Sequence, residues 1–377
     1  MTVFLLAVSL LYALFTLTLW LTWLRIPSFQ AEGIGTDAAN TPFITVVIPV
    51  RNEAEHIENL LNDLNRQSYP HFEVIVADDS STDTTLSIIQ QYAQQQASFI
   101  LRPLPLTNEQ TASPKKRAIT QSIALAAGSL IVATDGDCRV GPHWLRAIAS
   151  FYKETGARLI SGPVTFTTEE TIFDSLQTVE FASLIGSGAC TMALGVPTMC
   201  NGANLCYVKE VFAEVGGFAG VDHLASGDDE FLMHKISTRY PDGIRFLKSA
   251  DAIVRTQPHR SMRAFYNQRK RWASKWRAYK SYLPSVLAVF VFLSNAAPIV
   301  AILGWLMGFL NGNTTLVVIG LKAVSEFLFL RQILVFLQKK SSVWIIPLTQ
   351  LIYPLYVLFF GLAAQGKGYV WKDRKLS

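Results

Sequence analysis

The chain has 377 residues, of which 50% are hydrophobic and 16% charged, too little charge for a protein lying wholly in water. That length holds one large domain plus membrane segments, or two soluble domains. The net charge of +5 does not call for nucleic acid, because the Lys and Arg residues cluster beside apolar stretches, where anionic lipid heads account for them. The four cysteines, Cys138, Cys190, Cys200 and Cys206, have no CxxC or Cys/His spacing and read as reduced thiols in a cytosolic domain.

Residues 1–24 carry no charge and are long enough to cross a bilayer. A secretory signal would want a basic start and a small-residue cleavage site, so this run reads as an uncleaved anchor. A polar linker with Gly and Pro follows over 25–42. From residue 43 the pattern alternates strand, turn and helix. The first strand is predicted over 43–49 and a helix over 53–65. A second strand runs over 72–77, followed by the turn Asp78–Asp83 and a helix to about 96. A third unit places a helix over 118–127 and a strand over 129–133, ending at Asp135. Such alternation predicts a Rossmann-like α/β domain, mostly parallel, over 43–260. Ligands bind at the carboxyl ends of the strands in such sheets, and the acidic clusters fall there.

Residues 261–282 form a basic amphipathic segment, and the apolar character returns over 283–364 in about three segments. Two of these, 283–310 and 343–364, read as membrane helices, with Pro298 a candidate break. The stretch 314–337 carries Lys322, Glu326 and Arg331; Lys322 and Glu326 stand four apart and can pair on one helix face. A cytoplasmic domain agrees with Arg25, Lys275, Arg277, Lys280 and the loop Lys339–Lys340. Three further spans would then put the basic tail, 365–377, outside, so either one segment is re-entrant or the tail breaks the rule.

Five ordered motifs carry chemistry. Pro49-Val-Arg-Asn-Glu53 follows the first strand and reads as a turn or as a nucleoside contact. Of Asp78 and Asp79, one caps the following helix, and Asp79 is the better placed to accept hydrogen bonds from a base or ribose. Asp135-Gly-Asp137 ends an apolar strand, where two carboxylates can hold Mg²⁺ or Mn²⁺ against a diphosphate leaving group. Asp228-Asp229 opens a predicted helix, so its acids either cap that helix or act as general base on an acceptor hydroxyl. Gln268-x-x-Arg271-Trp272 lies on the basic amphipathic segment, where Trp272 can stack on a sugar and Arg271 can face phosphate. Lys115, Lys116 and Arg117, after a Pro in a loop, form a solvated basic turn or steady the diphosphate.

Together these residues resemble the membrane-bound family 2 glycosyltransferases of GT-A fold, which include cellulose, hyaluronan and poly-N-acetylglucosamine synthases and ceramide glucosyltransferase. The resemblance runs from about 43 to 280. It implies that Asp79 contacts the nucleoside and that Asp135 and Asp137 hold the metal-bound diphosphate. It also implies that Asp229 is the base of a single inverting displacement, and that Gln268, Arg271 and Trp272 line the acceptor and diphosphate site. Asn201-Gly202-Ala-Asn204, ahead of Gly216–Phe218, matches the segment that binds donor sugar and acceptor. One departure is that the base motif of that family is often Glu-Asp. Here it reads Asp228-Asp229, which keeps the second acid and leaves Asp228 as an alternative.

The expected activity is a metal-dependent, inverting hexosyl or N-acetylhexosaminyl transfer from a nucleoside-diphosphate sugar to a membrane acceptor. The acceptor is expected to be a lipid, because few segments remain to build a polymer channel. The expected location is the membrane, multi-pass, with the catalytic domain cytoplasmic. A processive polysaccharide synthase is the nearest rival. An inactive scaffold would be expected to lose one of Asp79, Asp137 and Asp229, and nucleotidyl transfer usually wants a Gly-rich phosphate loop before Asp78.

Overall fold

The computed structural model describes residues 1–31, 41–95, 97–107, 111–224, 226–273, 283–363, 369–371 and 374–376. Most of the predicted linker, the basic residues Lys275, Arg277 and Lys280, and positions 365–368, 372–373 and 377 of the tail lie outside them. In chain order the elements begin with helix α1 (Thr2–Arg25), strand β1 (Ile44–Val50), α2 (Ile57–Asn65) and β2 (Phe72–Asp78). Then come α3 (Thr85–Ala93), β3 (Ile100–Pro105), α4 (Pro114–Leu125), β4 (Leu130–Ala133) and α5 (Trp144–Thr155). Next are β5 (Leu159–Ser161), β6 (Val164–Phe166), α6 (Ile172–Ala193), β7 (Leu205–Val208), α7 (Lys209–Glu214) and α8 (Asp228–Arg239). The series continues with β8 (Ile244–Phe246), β9 (Val254–Thr256), α9 (Met262–Ala273), α10 (Leu283–Leu306), α11 (Gly312–Phe336) and α12 (Ile346–Ala363). The chain divides into a helical unit, Met1–Arg25, Glu169–Cys190 and His259–Tyr369, and a sheet unit, Ile26–Thr168, Thr191–Pro258 and Val370–Ser377.

The sheet unit is built on seven strands in the order β3-β2-β1-β4-β7-β5-β8. The first four are mutually parallel, β7 is antiparallel to β4 and β5, and β8 is parallel to β5. This is the mostly parallel α/β sheet expected from the sequence. β2 and β4 are buried at every position, and their β-branched runs suit a sheet covered on both faces. β3 was not foreseen. Its Pro103 and Pro105 weaken a strand signal, and β3 occupies the sheet edge, where a missing N–H is tolerated.

Two features of this topology position the site. The strand order reverses between β1 and β4, which opens a crevice at their carboxyl ends. Because Ala133 pairs with Leu205 in antiparallel register, β7 starts where β4 stops, so Gly202–Asn204 arrive beside the residues that follow β4. Gly162 permits this approach, since a Cβ there would lie 2.2 Å from Asn204 Nδ2.

In the helical unit α1 and α11 run parallel. Leu5 shares a core cluster with Val318, Tyr12 donates to Glu326, and Trp23 packs edge-on to Phe336 at 5.3 Å. α10 runs the other way, with Phe290 against Tyr12 and Phe15, and Ala297 and Ala301 in the Leu5 cluster. Pro298 lies inside α10 without ending it, so the break expected there does not occur. Lys322 and Glu326 pair at 2.6 Å, as their spacing foretold, and Tyr12 Oη adds a bond of 2.5 Å to the same carboxylate oxygen. A buried carboxylate so closed costs far less than an isolated charge. Among the described residues three helical stretches, Thr2–Arg25, Ser285–Leu306 and Ser341–Phe360, are long and apolar enough to cross a membrane.

Candidate active site

The loops after β1 and β2 are laced together. Arg51 Nη1 donates to the carbonyls of Asp79 and Ser80, at 2.6 and 2.8 Å. The Asn52 N–H donates to Ser81 Oγ, the Glu53 N–H to Thr85 Oγ1 and the Ala54 N–H to Asp83. Asn52 and Ser80 both take positive φ, 54° and 58°, a conformation that costs energy for a residue with a side chain and gathers at functional turns. Pro49 is the last residue but one of β1, and Glu53 belongs to the lattice through its N–H.

The two acids after β2 diverge. Asp78 folds back onto the Ser81 N–H and hydroxyl, while Asp79 Oδ1 accepts from Arg117 Nη2 at 2.8 Å. Neither caps α3 by its side chain, as one was expected to. That bond comes from Asp83, which accepts from the Thr85 N–H and hydroxyl. Burial alone would raise the Asp83 carboxyl, but these donors hold it below its ordinary value.

Lys115, Lys116 and Arg117 occupy the first turn of α4 rather than a loop. Pro114 is at the first helical position, where its missing N–H is harmless. Successive helical residues point about 100° apart, and the three cations accordingly have separate tasks. Arg117 takes Asp79. Lys116 is 2% exposed and gives its ammonium to the carbonyls of Val221, Leu224 and Ser226. It therefore fixes the loop before α8 and is not available to a diphosphate, contrary to expectation. Lys115 Nζ stands 2.7 Å from Asp135 Oδ1 and 3.5 Å from Asp228 Oδ2.

That ammonium is the hub of the site. Burial would by itself lower its pKa, but Asp135, Asp228 and Asp229 outweigh this and hold it above the ordinary lysine value. Asp228 and Asp229 form the start of α8, entered through Gly227 at φ 81°, a backbone position that favours glycine. Asp229 Oδ2 accepts from the Gly202 N–H at 3.0 Å and Oδ1 from the Glu230 N–H at 2.8 Å. A Cβ on Gly202 would lie 3.3 Å from Asp228 Oδ2 and 3.5 Å from Lys115 Nζ, so the bare backbone lets these groups meet.

Asp137 turns to Thr256, whose hydroxyl donates to Oδ2 at 2.9 Å. Among the described residues no three of His, Cys, Asp and Glu stand together as a metal cluster. Asp135 and Asp137 offer carboxylate oxygens only, and Asp135 is 38% exposed at its side chain. That donor set fits a hard divalent cation completing its shell with phosphate and water. The neighbouring Cys138 thiol is pushed well up by burial, then by Asp137 and Asp135, and its soft sulfur suits a hard cation poorly.

Asn201 caps the short 3₁₀ turn by accepting from the Ala203 N–H. Asn204 is a second correction. It accepts from Trp144 Nε1 at 3.0 Å and donates to the carbonyls of Pro163 and Ala252, at 2.9 and 2.8 Å. Buried and engaged at both ends of its amide, it braces the turn instead of facing an acceptor.

Gln268, Arg271 and Trp272 lie on α9 in the helical unit. The residue between them that sequence reasoning passed over, Arg269, anchors the helix. Its Nε donates to Glu180 Oε1 at 2.9 Å, a second bond joins Nη2 to Oε2, and Tyr356 Oη donates to the same carboxylate at 3.0 Å. Trp272, expected against a sugar, stacks on Phe181 at 6.3 Å, with the Arg269 guanidinium 4.4 Å from its ring centre. Gln268 accepts from Arg269. No periodicity signals Arg269, because its partner is 89 residues away.

Comparison with known proteins bears on the fold and the family. Glycosyltransferase AglE of Haloferax volcanii is 31% identical over 195 residues, 50% of this chain and 59% of that protein. A poly-beta-1,6-N-acetyl-D-glucosamine synthase of Staphylococcus aureus is 26% identical over 235 residues, 61% of this chain and 53% of that protein. The chain thus spans little more than half the length of these two relatives. A solved mannosyltransferase from Pyrobaculum calidifontis, in complex with GDP-Man and Mn²⁺, has a TM-score of 0.56 at 20% identity and covers 92% of this chain and 99% of that one. This likeness shows that the fold is GT-A. A model of glycosyl transferase family 21 matches residues 1–377, and the chain belongs to that family.

Proposed function

We propose that the protein transfers a hexosyl or N-acetylhexosaminyl group from a nucleoside-diphosphate sugar to a membrane-associated lipid acceptor, with inversion and with a divalent cation. The observation that carries this reading is the meeting of Lys115 with Asp135, Asp228 and Asp229, which brings the end of β4 and the start of α8 to one ammonium. The turns after β1 and β2, with Pro49, Glu53 and the Asp79–Arg117 pair, receive the nucleoside. Asp135 and Asp137 hold the cation, which when bound neutralises charge on the departing diphosphate.

Asp229 is the general base. Its two oxygens each accept a backbone N–H, which fixes its aim. Asp228, engaged by Lys115 at 3.5 Å, is the alternative. In the single displacement the acceptor hydroxyl passes its proton to Asp229 as its oxygen bonds to the anomeric carbon. The bond from that carbon to phosphate breaks, the nucleoside diphosphate leaves, and the anomeric configuration inverts.

The domain is assigned to the cytoplasmic side. Because α1 and α11 run parallel, Arg25 and the Lys339–Lys340 loop fall at the same end of the bundle, as basic cytoplasmic flanks do. The stretch before α12 and the body of α12 pack along the segment that begins at Glu169. Ser341 and Ser342, just before α12, donate to Glu169, and Tyr356 donates to Glu180. Phe359 packs on Tyr266 at 6.1 Å. With α1, α10 and α11 taken as spans, α12 is the segment that would be re-entrant if the basic tail is to return to the cytoplasmic side.

The deciding assay incubates purified protein with a panel of nucleotide sugars, Mn²⁺ and a membrane lipid extract. Release of one nucleoside diphosphate, together with one glycosylated lipid, is expected. No release with any donor would defeat the reading. The likeness to poly-beta-1,6-N-acetyl-D-glucosamine synthase over 61% of this chain favours a second one, processive polymerisation, which a ladder of products in the same assay would establish.

A further inference from the structure

We propose that Lys115 is a place-holder for the divalent cation: it occupies Asp135 in the resting protein and leaves it only when cation and diphosphate arrive together. The proposal rests on the metal-dependent transfer put forward above.

The resting contacts motivate it. Asp135 follows β4, and Asp228 and Asp229 begin α8, so folding alone brings like charges together. The Lys115 ammonium, 2.7 Å from Asp135 Oδ1 and 3.5 Å from Asp228 Oδ2, offsets that repulsion. The lysine is well suited to exchange partners. Its backbone is fixed, because the next two residues on the same turn are tied down, Lys116 to three carbonyls and Arg117 to Asp79. Its own side chain is 22% exposed and ends on a flexible four-carbon stem.

A lone divalent cation approaching Asp135 meets a positive charge already bound there. Two cations within a few ångströms repel strongly in a half-buried site, so Lys115 holds the affinity for free cation down. A nucleoside diphosphate changes the balance by bringing its own negative charge. Lys115 then exchanges Asp135 Oδ1 for phosphate oxygens, with Asp228 as the contact it keeps, and Asp135 Oδ1 is released. When the nucleoside diphosphate departs after transfer, Lys115 returns to Asp135 and weakens the hold on the cation left behind. The lysine thus couples cation binding to donor binding and product release.

The test is Mn²⁺ binding to the full-length protein, read from the electron paramagnetic resonance signal of free Mn²⁺, with Mn²⁺ alone, with UDP and with GDP. The unmutated protein is expected to bind Mn²⁺ alone weakly and to gain on the order of tenfold or more with one diphosphate. Lys115→Met, with a thermal midpoint confirming that it folds, is expected to bind Mn²⁺ alone on the order of tenfold tighter and to gain less from the diphosphate. Lys115→Arg, which keeps the charge, is expected to behave like the unmutated protein. Equal affinity of the Met variant and the unmutated protein for Mn²⁺ alone would overturn the place-holder and leave the transferase reading standing. Diphosphate binding indifferent to Mn²⁺ in all three proteins would overturn metal dependence, and the place-holder with it.

Discussion

Two buried pairs of the helical unit and the Lys115 cluster of the sheet unit use charge in opposite ways. In the helical unit Glu180 with Arg269, and Glu326 with Lys322, are closed pairs, buried and completed by a tyrosine hydroxyl each. In the sheet unit three acids share one lysine, and the lysine and Asp135 keep a side exposed. The closed pairs are stable only as they stand, because an ion left alone at such depth is costly. The shared lysine can give up one partner for another. The closed pairs of the helical unit therefore serve as architecture, and the shared lysine is the group to which the proposed chemistry is assigned.

The contrast can be broken most forcefully at Glu180. Glu180→Leu leaves Arg269 buried without its carboxylate and should destabilise the protein by about 3–5 kcal/mol, read as a fall in thermal midpoint in detergent. Adding Arg269→Met should restore much of the loss, and an unchanged midpoint in Glu180→Leu would contradict the closed-pair view. A smaller effect is expected at Thr256, which supports Asp137 from behind. Thr256→Val should weaken Mn²⁺ binding in the presence of nucleoside diphosphate by roughly 10–100-fold with little change in the melting midpoint.

The smallest effect concerns pH. The Lys115 pKa is raised in the folded state, so its contribution is fully present below the ordinary lysine value, about 10.4, and is lost as pH rises through the higher folded value. The difference in midpoint between the unmutated protein and Lys115→Met should therefore stay constant between about pH 6 and 9. A difference that drifts within that window would contradict the assignment.

Much of this was legible in advance, for definite reasons. Strands β1, β2 and β4 announce themselves as short β-branched runs, and each ends at a cluster that falls on the site. The start of α4 was hidden because Pro114 looks like a loop residue and is in fact a helix opener. Lys116 and Asn204 have the chemistry of ligands. Only their burial, and the carbonyls they bond to, reveal them as braces. The Arg117–Asp79 and Arg269–Glu180 pairs join residues far apart in the chain, and spacing is silent about such partners. Lys322 and Glu326, four apart on one helix, could be paired from the sequence alone.

The central claim is that Asp229 takes the proton of the acceptor hydroxyl while other groups hold the donor. Turnover and nucleoside-diphosphate binding, measured side by side on Asp229→Asn, test it most directly. Catalysis should fall by on the order of 10²–10⁴-fold, with calorimetric affinity for the nucleoside diphosphate and Mn²⁺ nearly unchanged. Turnover by Asp229→Asn equal to that of the unmutated enzyme would contradict the account.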